Sequence, residues 1–407
     1  MKIIVVGAGL SGLVSALRLQ EAGHEVVVLE ARDRVGGRVL TVRDGFQDGQ
    51  YADVGAMILY EGQPNILELC KRFELDLTPM VTFGAELPAL LFGGKLLDPD
   101  SVGAAFGELG AAHEQVPPVP FETVAAWSRR ARLSATPYAF LEALIQIQPS
   151  IPLRYVDAHT LHLGAEVFCQ IAGGNDQLPR RIAEGLDVRL EQPVRTIGWS
   201  GPGVTVETGE ETLTGDVVVV AVPGPLTTEL GWDPPLPPEK VAALVALRYG
   251  TGAGLALQYA ETDAVREAIR TGVFTDRIPN WFLDVSAHQP GGPIVVVSIL
   301  SAERQPRGLD DGSVLAEADR TMEAVTGGPV TRTFGTIASW TDDPWARCIA
   351  RAPIGDQRET LLPAIRAPLG HTVFFAGEHT DDRPGPGGME GAIKSGYRVA
   401  GEILESS

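Results

Sequence analysis

The stretch KIIVVGAGLSGLVSALRLQEAGHEVVVLEARDRVGGR, residues 2–38, decides the fold. It begins with an apolar strand, turns at three spaced glycines into a helix, and returns to a second strand that ends at Glu30. Gly7 permits the tight turn, Gly9 lets a pyrophosphate approach the backbone, and Gly12 lets the helix pack on the sheet. The helix N-terminus then faces the phosphates with free N–H groups, and Glu30 can accept hydrogen bonds from a ribose. The stretch therefore predicts a dinucleotide site.

The glycine motif alone leaves NAD and FAD open as the dinucleotide. Residues 32–38, RDRVGGR, resemble the second glycine motif of flavoproteins with two dinucleotide-binding domains, in which the paired glycines and the arginine meet the pyrophosphate. A basic loop is the alternative interpretation of this segment. The resemblance favours FAD.

Matches to one family extend over nearly the whole chain. Residues 372–380, TVFFAGEHT, form a short strand that ends in a glycine, and residues 387–396, GGMEGAIKSG, open a terminal helix. Both segments look like the closing signature of the flavin-containing amine oxidase family. Shorter matches are DVGAM at 53–57, IAGG at 171–174, VVVVAVP at 217–223 and SWTDDP at 339–344. The resemblance implies an α/β fold, in which a two-dinucleotide-binding-domain (Rossmann-like) FAD domain is interleaved with an α+β substrate domain.

The nucleotide-binding signatures occupy three separated parts of the chain. We therefore expect a discontinuous FAD-binding domain from residues 1–78, 171–235 and 345–407, and a substrate domain from 79–170 and 236–344. Within the substrate domain the pattern predicts strands at 254–259 and 293–300. Helices are predicted near 138–145 and 314–325.

The resemblance also implies which residues meet the cofactor and the substrate. The residues expected to bind FAD are Gly7, Gly9, Leu10, Ser11, Gly12, Glu30, Ala31, Arg32, Gly37, Arg38, Gly55, Ala56, Met57, Val194, Ala221, Trp340, Gly377, Glu378, Gly388, Met389 and Ala392. Met57, Trp340 and Ile349 are expected to line the substrate pocket, with core packing as the alternative for each. No catalytic acid or base can be assigned, since no Ser-His-Asp set or carboxylate pair is recognisable.

Two departures from the family concern the substrate pocket. Many amine oxidases hold a lysine near the flavin through a water, and the matching position here is Gly254. Monoamine oxidases flank the substrate nitrogen with two aromatic rings, and the matching positions here are Ile349 and Gly388. One interpretation is that the missing side chains leave volume for a bulkier substrate held by apolar contact. The other is that the match slips by a residue or two in this region.

Cys348 matches the position at which monoamine oxidases attach the flavin through a thioether. Its neighbours Arg347 and Arg351 would depress the pKa of the thiol if they pointed toward it. The alternative is a buried, unreactive cysteine, as is common for this residue type. We expect FAD to be held non-covalently, with covalent attachment at Cys348 as the other outcome.

Amino acid oxidases of this family clamp the substrate carboxylate with an arginine from the helical region. Arg129, Arg130, Arg132 and Arg154 lie in the corresponding part of this chain. A cluster of this kind is more often a solvated helix face than a clamp.

Composition agrees with an ordinary globular protein that contains two domains. The chain has 407 residues, a formal net charge of −19, 44% hydrophobic residues and only 3 cysteines. The negative charge argues against nucleic acid or an anionic membrane as partners, and the cysteine number gives neither a disulfide framework nor a metal cluster. With the first strand beginning at Lys2 we expect no signal peptide and a cytoplasmic location. A small-molecule substrate and O₂ are the expected partners, and a homodimer is one assembly open to the chain.

Three functions remain open from the sequence. The leading hypothesis is an FAD-dependent oxidase that takes hydride from a C–H next to nitrogen in a bulky or apolar amine, amino acid derivative or amide, giving an imine. The second is an FAD-dependent desaturase or isomerase that tailors a lipid-like or polyketide-like natural product. The third is a flavin-binding redox module without turnover.

Overall fold

A computed structural model of the protein describes residues 1–83, 86–146, 150–161, 166–302, 310–352, 357–383 and 387–406. The strands of these residues are β1 Lys2–Val6, β2 Glu25–Leu29, β3 Thr41–Val42, β4 Ala52–Asp53, β5 Leu59–Tyr60, β6 Leu77–Phe83, β7 Ala89–Phe92, β8 Lys95–Leu96, β9 Glu166–Ile171, β10 Asp187–Arg189, β11 Thr196–Gly198, β12 Val204–Glu207, β13 Thr212–Gly215, β14 Val217–Val220, β15 Gly231–Asp233, β16 Gly252–Tyr259, β17 Val273–Thr275, β18 Trp281–Asp284, β19 Ile294–Ser301, β20 Arg332–Ser339 and β21 Val373–Phe375.

The α-helices of the same residues are α1 Leu10–Glu21, α2 Pro64–Arg72, α3 Pro99–Gln115, α4 Val124–Arg130, α5 Ala135–Gln146, α6 Gln177–Ala183, α7 Gly224–Glu229, α8 Pro238–Ala246, α9 Asp263–Ile269, α10 Asp311–Thr326, α11 Gln357–Thr360, α12 Leu362–Arg366 and α13 Gly388–Glu405. Short 3₁₀ turns cover Gln47–Gly49, Leu153–Tyr155, Ala158–Thr160 and Glu378–Thr380.

A parallel five-stranded sheet forms the nucleotide-binding half, in the order β10-β2-β1-β14-β21. Its central strands are uninterrupted apolar runs because both faces are covered, and all four residues of β14 are buried. Helices α1 and α13 pack on one face, and the four-stranded sheet β13-β12-β11-β15 packs on the other. The strands come from all three sequence segments that carry nucleotide-binding signatures.

A seven-stranded sheet forms the second half, in the order β20-β16-β19-β18-β17-β7-β8. The antiparallel partners β16 and β19 are buried along their whole length and pair from Gly252 with Ser301 to Tyr259 with Ile294. They confirm the strands predicted at 254–259 and 293–300. Helices α5 and α10 likewise confirm the two predicted helices of this half.

Two hydrophobic cores meet where these halves join. One core contains the apolar faces of α1 and α13, and the other contains residues of β18, β19 and the helices α4 and α5. The three-stranded sheet β5-β9-β6 lies between them and contributes to both cores. Helix α8, in the range assigned above to the substrate domain, packs instead against α7 and α12. The domain boundaries themselves stay a prediction.

Candidate active site

A cavity of about 710 Å³ runs along the junction of the two halves. It is lined by every residue predicted above to bind the cofactor except Gly12, and by the three predicted pocket residues Met57, Trp340 and Ile349. Gly12 lies behind the wall, where a Cβ would stand 1.9 Å from the carbonyl oxygen of Gly7. Its role is the close packing of α1 against the turn, as its place in the motif predicts.

The glycine turn presents an uncapped helix N-terminus to the cavity. Gly9 is the N-cap of α1, no side chain caps the helix there, and its first turn contains no acidic residue. A Cβ at Gly9 would have no atom within 4 Å, so the backbone stands next to open space. This geometry suits a pyrophosphate, which the N–H groups and the positive end of the helix dipole would bind.

Glu30 lies at the same end of the cavity, after β2. Its Oε2 accepts a hydrogen bond from the Ala8 N–H at 2.7 Å, and its Oε1 accepts one from the Arg32 N–H at 2.9 Å. Burial raises the pKa of this carboxyl despite those two donors. The two backbone contacts hold the carboxyl at the cavity wall, where its remaining lone pairs can meet a ribose.

A bidentate ion pair closes this end of the cavity. Both guanidinium Nη atoms of Arg32 donate to the carboxylate of Asp343, at 2.8 and 2.7 Å. The next two residues, Pro344 and Trp345, also line the cavity. The Asp343-Pro344 pair matches the resembled family, but its role could not be predicted, because nothing local in the sequence shows that Arg32 is the partner of Asp343.

Arg38 occupies the middle of the cavity wall, where it bridges to the C-terminal segment. Its Nη1 donates to Glu378 Oε1 at 2.9 Å and to the carbonyl oxygen of Ile349 at 3.0 Å. Burial alone would raise the pKa of Glu378, but Arg38, with help from His379 and Arg351, holds it below its usual value. This ion pair fixes the Arg38 side chain in the cavity wall.

The condition under which Arg347 and Arg351 would lower the pKa of the Cys348 thiol is not met, because neither guanidinium points toward the sulfur. Arg347 points to Glu229 at 3.7 Å, and the Arg351 guanidinium donates to backbone carbonyl oxygens, among them that of Glu378. The cation near the Cys348 sulfur is Arg38, at 3.5 Å. Burial nevertheless raises the pKa of this thiol to about 11, since desolvation outweighs the charge of one guanidinium. Cys348 is 1% exposed and is not among the described residues that line the cavity.

The backbone of residues 54–57 is held from two sides where it lines the cavity. The side-chain amide of Asn175 donates to the carbonyl oxygens of Ala56 and Met57, at 2.9 and 3.1 Å. The Trp340 indole Nε1 donates to the Val54 carbonyl oxygen at 2.9 Å. Asn175 was missed from the sequence, although it directly follows the paired glycines at 173–174. It is a positioning residue rather than a cavity-lining one.

The other end of the cavity is apolar and belongs to the second core. It is formed by Val54, Met57, Ile58, Tyr60, Phe168, Gly254, Ile299, Trp340 and Ile349, together with the amide side chain of Gln63. We call these ten residues the apolar end. None of them has an acidic or basic side chain. Tyr60 and Phe168 are direct cross-strand partners on β5 and β9, which is why two residues far apart in sequence share one wall.

None of the four arginines weighed as a carboxylate clamp reaches the cavity, and all four lie within the described ranges. Arg130 is exposed and paired with Glu122, with Nε to Oε1 at 2.8 Å. Arg129, Arg132 and Arg154 are also exposed. The solvated-face interpretation is therefore the correct one for this cluster.

The idea that Gly254 leaves volume beside the flavin site is wrong. A Cβ at this position would lie 1.7 Å from the carbonyl oxygen of Val54, because the backbone of β16 passes directly against the backbone of Val54 there. Gly388 is different, since a Cβ there would have no atom within 4 Å. Of the two glycines matched above to larger side chains of the resembled family, only Gly388 leaves open space in the cavity.

The residues present fit a flavin dinucleotide. The open Gly9 backbone and the N-terminus of α1 would hold its pyrophosphate, and Glu30 would hold a ribose. The wall from Arg38 to the apolar end would hold the rest of the cofactor. The apolar end would exclude water from whatever carbon is brought there. Bound flavin would supply the two-electron acceptor.

Comparison with known proteins decides the family. The sequence model of the family of flavin-containing amine oxidoreductases matches residues 10–158 and 153–404, which is nearly the full chain. The chain belongs to this family. It is similar to an L-amino-acid oxidase of Mus musculus, at 28% identity over 99% of this chain and 70% of that protein. It is also similar to lysine-specific histone demethylase 2 of Homo sapiens, at 28% identity over 98% of this chain and 53% of the demethylase.

Solved structures show the same fold. Cyclohexylamine oxidase from Brevibacterium oxydans IH-35A matches with a TM-score of 0.84 at 20% identity, over 100% of this chain and 99% of that one. Putrescine oxidase bound to putrescine matches with a TM-score of 0.82 at 20% identity, over 100% and 99%. The predicted fold class is confirmed, and the protein is a flavin-dependent oxidoreductase of the amine oxidase family.

Two kinds of feature are absent from the part of the chain that the structure describes. No helix in it is both long and apolar enough to cross a membrane. No group of three or more His, Cys, Asp or Glu residues in it is arranged to hold a metal ion.

Proposed function

We propose that the protein is an FAD-dependent oxidase that converts a bulky, mostly apolar amine into an imine, with O₂ as the electron acceptor. The reaction removes hydride from the C–H next to nitrogen, and the nitrogen lone pair forms the new C=N bond as the hydride leaves to flavin N5. The apolar end of the cavity is the observation that carries this proposal.

The apolar end supports a substrate that is held by many weak contacts. Met57, Phe168, Ile299 and Trp340 are each less than 9% exposed, so an apolar group placed among them loses nearly all contact with water. Burial of this kind contributes about 25 cal/mol per Å² of apolar surface. A free amino acid would bring a carboxylate against these side chains, and the Arg38 guanidinium beside Ile349 is already bonded to Glu378 and to the Ile349 carbonyl oxygen, which makes burial of the carboxylate costly.

Ile349 and Gly388 support the bulky character of the substrate. Both residues line the cavity. By the family resemblance, they match the two positions at which monoamine oxidases carry aromatic rings. Without those rings a small amine has little to fix its orientation, and misplacement by about 1 Å costs on the order of a hundredfold in rate. A larger molecule fills the space that Gly388 leaves open.

We further propose that the cofactor is FAD and that it is bound without a covalent link. The cavity joins the phosphate-binding turn at Gly9 to the apolar end, which is the span a dinucleotide with a large ring system needs. The high pKa and burial of the Cys348 thiol disfavour attack on the flavin methyl group. Acid precipitation tests this, since a non-covalent flavin stays in the yellow supernatant and a covalent one colours the pellet.

Anaerobic bleaching of the flavin tests the activity. We expect bulky apolar amines to bleach it much faster than benzylamine or common amino acids, and steady peroxide release to follow when air is admitted. The variant Ile349→Tyr restores one ring and should shift the preference toward benzylamine, while Ile349→Val should not. Fast bleaching of the unaltered protein by benzylamine, with none by bulky amines, would overturn the proposal. Formation of a C=C bond without an imine would assign the desaturase chemistry instead.

A further inference from the structure

One polar side chain interrupts the apolar end of the cavity. Gln63 is 6% exposed and lines the cavity beside Tyr60. Its Oε1 accepts a hydrogen bond from the Tyr60 N–H at 3.3 Å. Its Nε2 donates to no group among the residues that the structure describes. The side chain is therefore mostly buried and keeps an unpaired donor on the cavity wall, where a partner that enters the cavity can meet it.

The orientation of this amide is fixed by its surroundings. A backbone N–H can only meet the oxygen of a side-chain amide, so the Tyr60 contact places Oε1 toward the backbone and leaves Nε2 as the free end. The Gln63 backbone is also held, since its N–H donates to the Tyr60 carbonyl oxygen at 3.1 Å and its carbonyl accepts from the Leu67 N–H at 3.2 Å. The donor is therefore presented in one position.

Helix α2, which follows Gln63, is anchored in turn by the C-terminal helix. Glu390 of α13 accepts hydrogen bonds from the N–H groups of Asn65 and Ile66, at 3.1 and 2.9 Å, and from the Asn65 side-chain amide at 2.5 Å. A carboxylate at this helix N-terminus is stabilising. The turn that carries Gln63 is thereby tied to α13, whose first residues line the same cavity.

The chemistry of the apolar end limits what the partner can be. A carboxylate is disfavoured because the ten residues of the apolar end carry no basic side chain, and the Arg38 guanidinium beside Ile349 is already paired with Glu378. The reacting nitrogen is also a poor partner, since a hydrogen bond to its lone pair would hold back the electrons that form the C=N bond. A second, neutral oxygen on the substrate meets both conditions.

We propose that Gln63 is a specificity residue, whose Nε2 donates a hydrogen bond to a neutral oxygen acceptor on an otherwise apolar amine substrate. The ligand class is thus an apolar amine that carries an ether, hydroxyl or carbonyl oxygen at a fixed distance from the oxidised carbon. The inference rests on the proposed function in one respect, which is that the bound molecule is an amine that the protein oxidises. The binding contact itself does not depend on turnover.

Isosteric ligands test the contact directly. The probes are 4-phenylbutylamine and its ether analogues 3-phenoxypropylamine and 2-(benzyloxy)ethylamine, in which an oxygen replaces one methylene. Binding is measured anaerobically from the perturbation of flavin absorbance in the unaltered protein and in Gln63→Met, which keeps the side-chain length and loses the amide. Comparing the ratio of ether to hydrocarbon affinity between the two proteins cancels differences in amine basicity.

We expect Gln63→Met to lower this affinity ratio by about tenfold for at least one ether, which is the scale of one hydrogen bond. The matched control is Gln192→Met, because Gln192 also lines the cavity and bonds through its amide to Glu210 and Thr208, away from the apolar end. This control should leave the ratio unchanged. Melting temperature and flavin content establish that both variants are folded and loaded.

Three results would overturn the assignment. An equal ratio in the unaltered protein and in Gln63→Met would show that Nε2 does not meet these oxygens. An equal loss in Gln192→Met would show that the effect is not local. A shifted flavin spectrum in Gln63→Met before any ligand is added would place the amide on the flavin. If the probes bind with the expected ratio and none bleaches the flavin, the contact stands and the proposed oxidation fails.

Discussion

The carboxylate of Glu378 lies 2.9 Å from the guanidinium of Arg38, although the two residues are 340 positions apart. The pair joins the segment after the first glycine turn to the segment that leads into α13. Their side chains are 6% and 19% exposed, so neither charge is well solvated. The contact holds together the wall along which the dinucleotide would lie.

We expect Glu378→Gln to lower the free energy of unfolding by about 3 to 5 kcal/mol, because it leaves the Arg38 charge buried without a counterion. Urea denaturation measures this. The matched control is Glu317→Gln, which breaks the exposed pair with Arg320 and should cost less than about 1 kcal/mol. Equal losses in the two variants would show that the Arg38 pair is no more than a surface contact.

The nucleotide-binding half could be predicted from the sequence because the contacts that require particular residues there are made between positions close in the chain. A glycine such as Gly12, which stands against the backbone of Gly7, is required by a contact made within the same short turn. Glu30 likewise ends a strand whose pairing partner β1 lies just before it in the chain. Such residues reveal their role by type and spacing, and every one of them lies at the cavity or directly behind it.

The apolar end could not be predicted because its residues carry no local signal. Phe168 and Ile299 read as ordinary core residues, and only the placement of β9 and β19 brings them to a cavity wall. Gln63 gave a weak signal as a polar residue directly before a helix-starting proline. The expectation for Gly254 was wrong because an absent side chain leaves volume only if no backbone fills it, and here the Val54 carbonyl does.

Substitution of Gly254 tests that backbone contact. A Cβ would stand 1.7 Å from the Val54 oxygen, so Gly254→Ala must push β16 away from residues 54–57. We expect a lower melting temperature and weaker flavin retention, with Gly254→Lys more severe. Gly107→Ala is the control, because Gly107 lies inside α3 with no atom within 4 Å of a Cβ. That variant should gain up to about 1 kcal/mol, and a tolerated Gly254→Ala would refute the contact.

Asp53 should make the stability depend on pH in the acidic range. It is 2% exposed, accepts hydrogen bonds from Thr41 Oγ1 at 2.5 Å and from the Asn175 N–H at 3.1 Å, and has the charged Asp176 and Arg43 nearby. Burial raises its pKa from 3.8 to about 7. The folded protein therefore binds a proton that the unfolded chain has released between these values, so the free energy of unfolding falls as pH rises through this window.

Asparagine mimics the protonated form of this side chain. We expect Asp53→Asn to flatten the profile between about pH 4 and pH 7, where Asp53 contributes a slope of up to about 1.4 kcal/mol per pH unit. Denaturation at closely spaced pH values measures the slope. Asp48→Asn at an exposed position should keep the original profile. A profile that is unchanged in Asp53→Asn would mean that Asp53 is ionised throughout.

Lys240 should produce the opposite trend in the alkaline range. It is 2% exposed, its Nζ donates to the carbonyl oxygens of Ala364 and Ile365 at 2.7 and 2.8 Å, and it lies 3.9 Å from the centre of the Phe375 ring. These contacts fasten α8 to the end of α12. Burial lowers the pKa of the amine from 10.5 to about 7, because the charged form is poorly solvated there.

Between pH 7 and 10.5 the unfolded chain holds a proton on Lys240 that the folded protein has lost, so the free energy of unfolding rises with pH across this window. Lys240→Met removes this contribution and also leaves two carbonyl oxygens without their donor, which costs about 1 to 3 kcal/mol each if they stay dry. We therefore expect the variant to be less stable at pH 9 and to lose much of that deficit toward pH 7. Denaturation curves at pH 7, 8 and 9 measure the change, with Lys95→Met at an exposed position as the control. A deficit that is the same at all three pH values would show that Lys240 keeps its charge in the folded protein and acts only through its contacts.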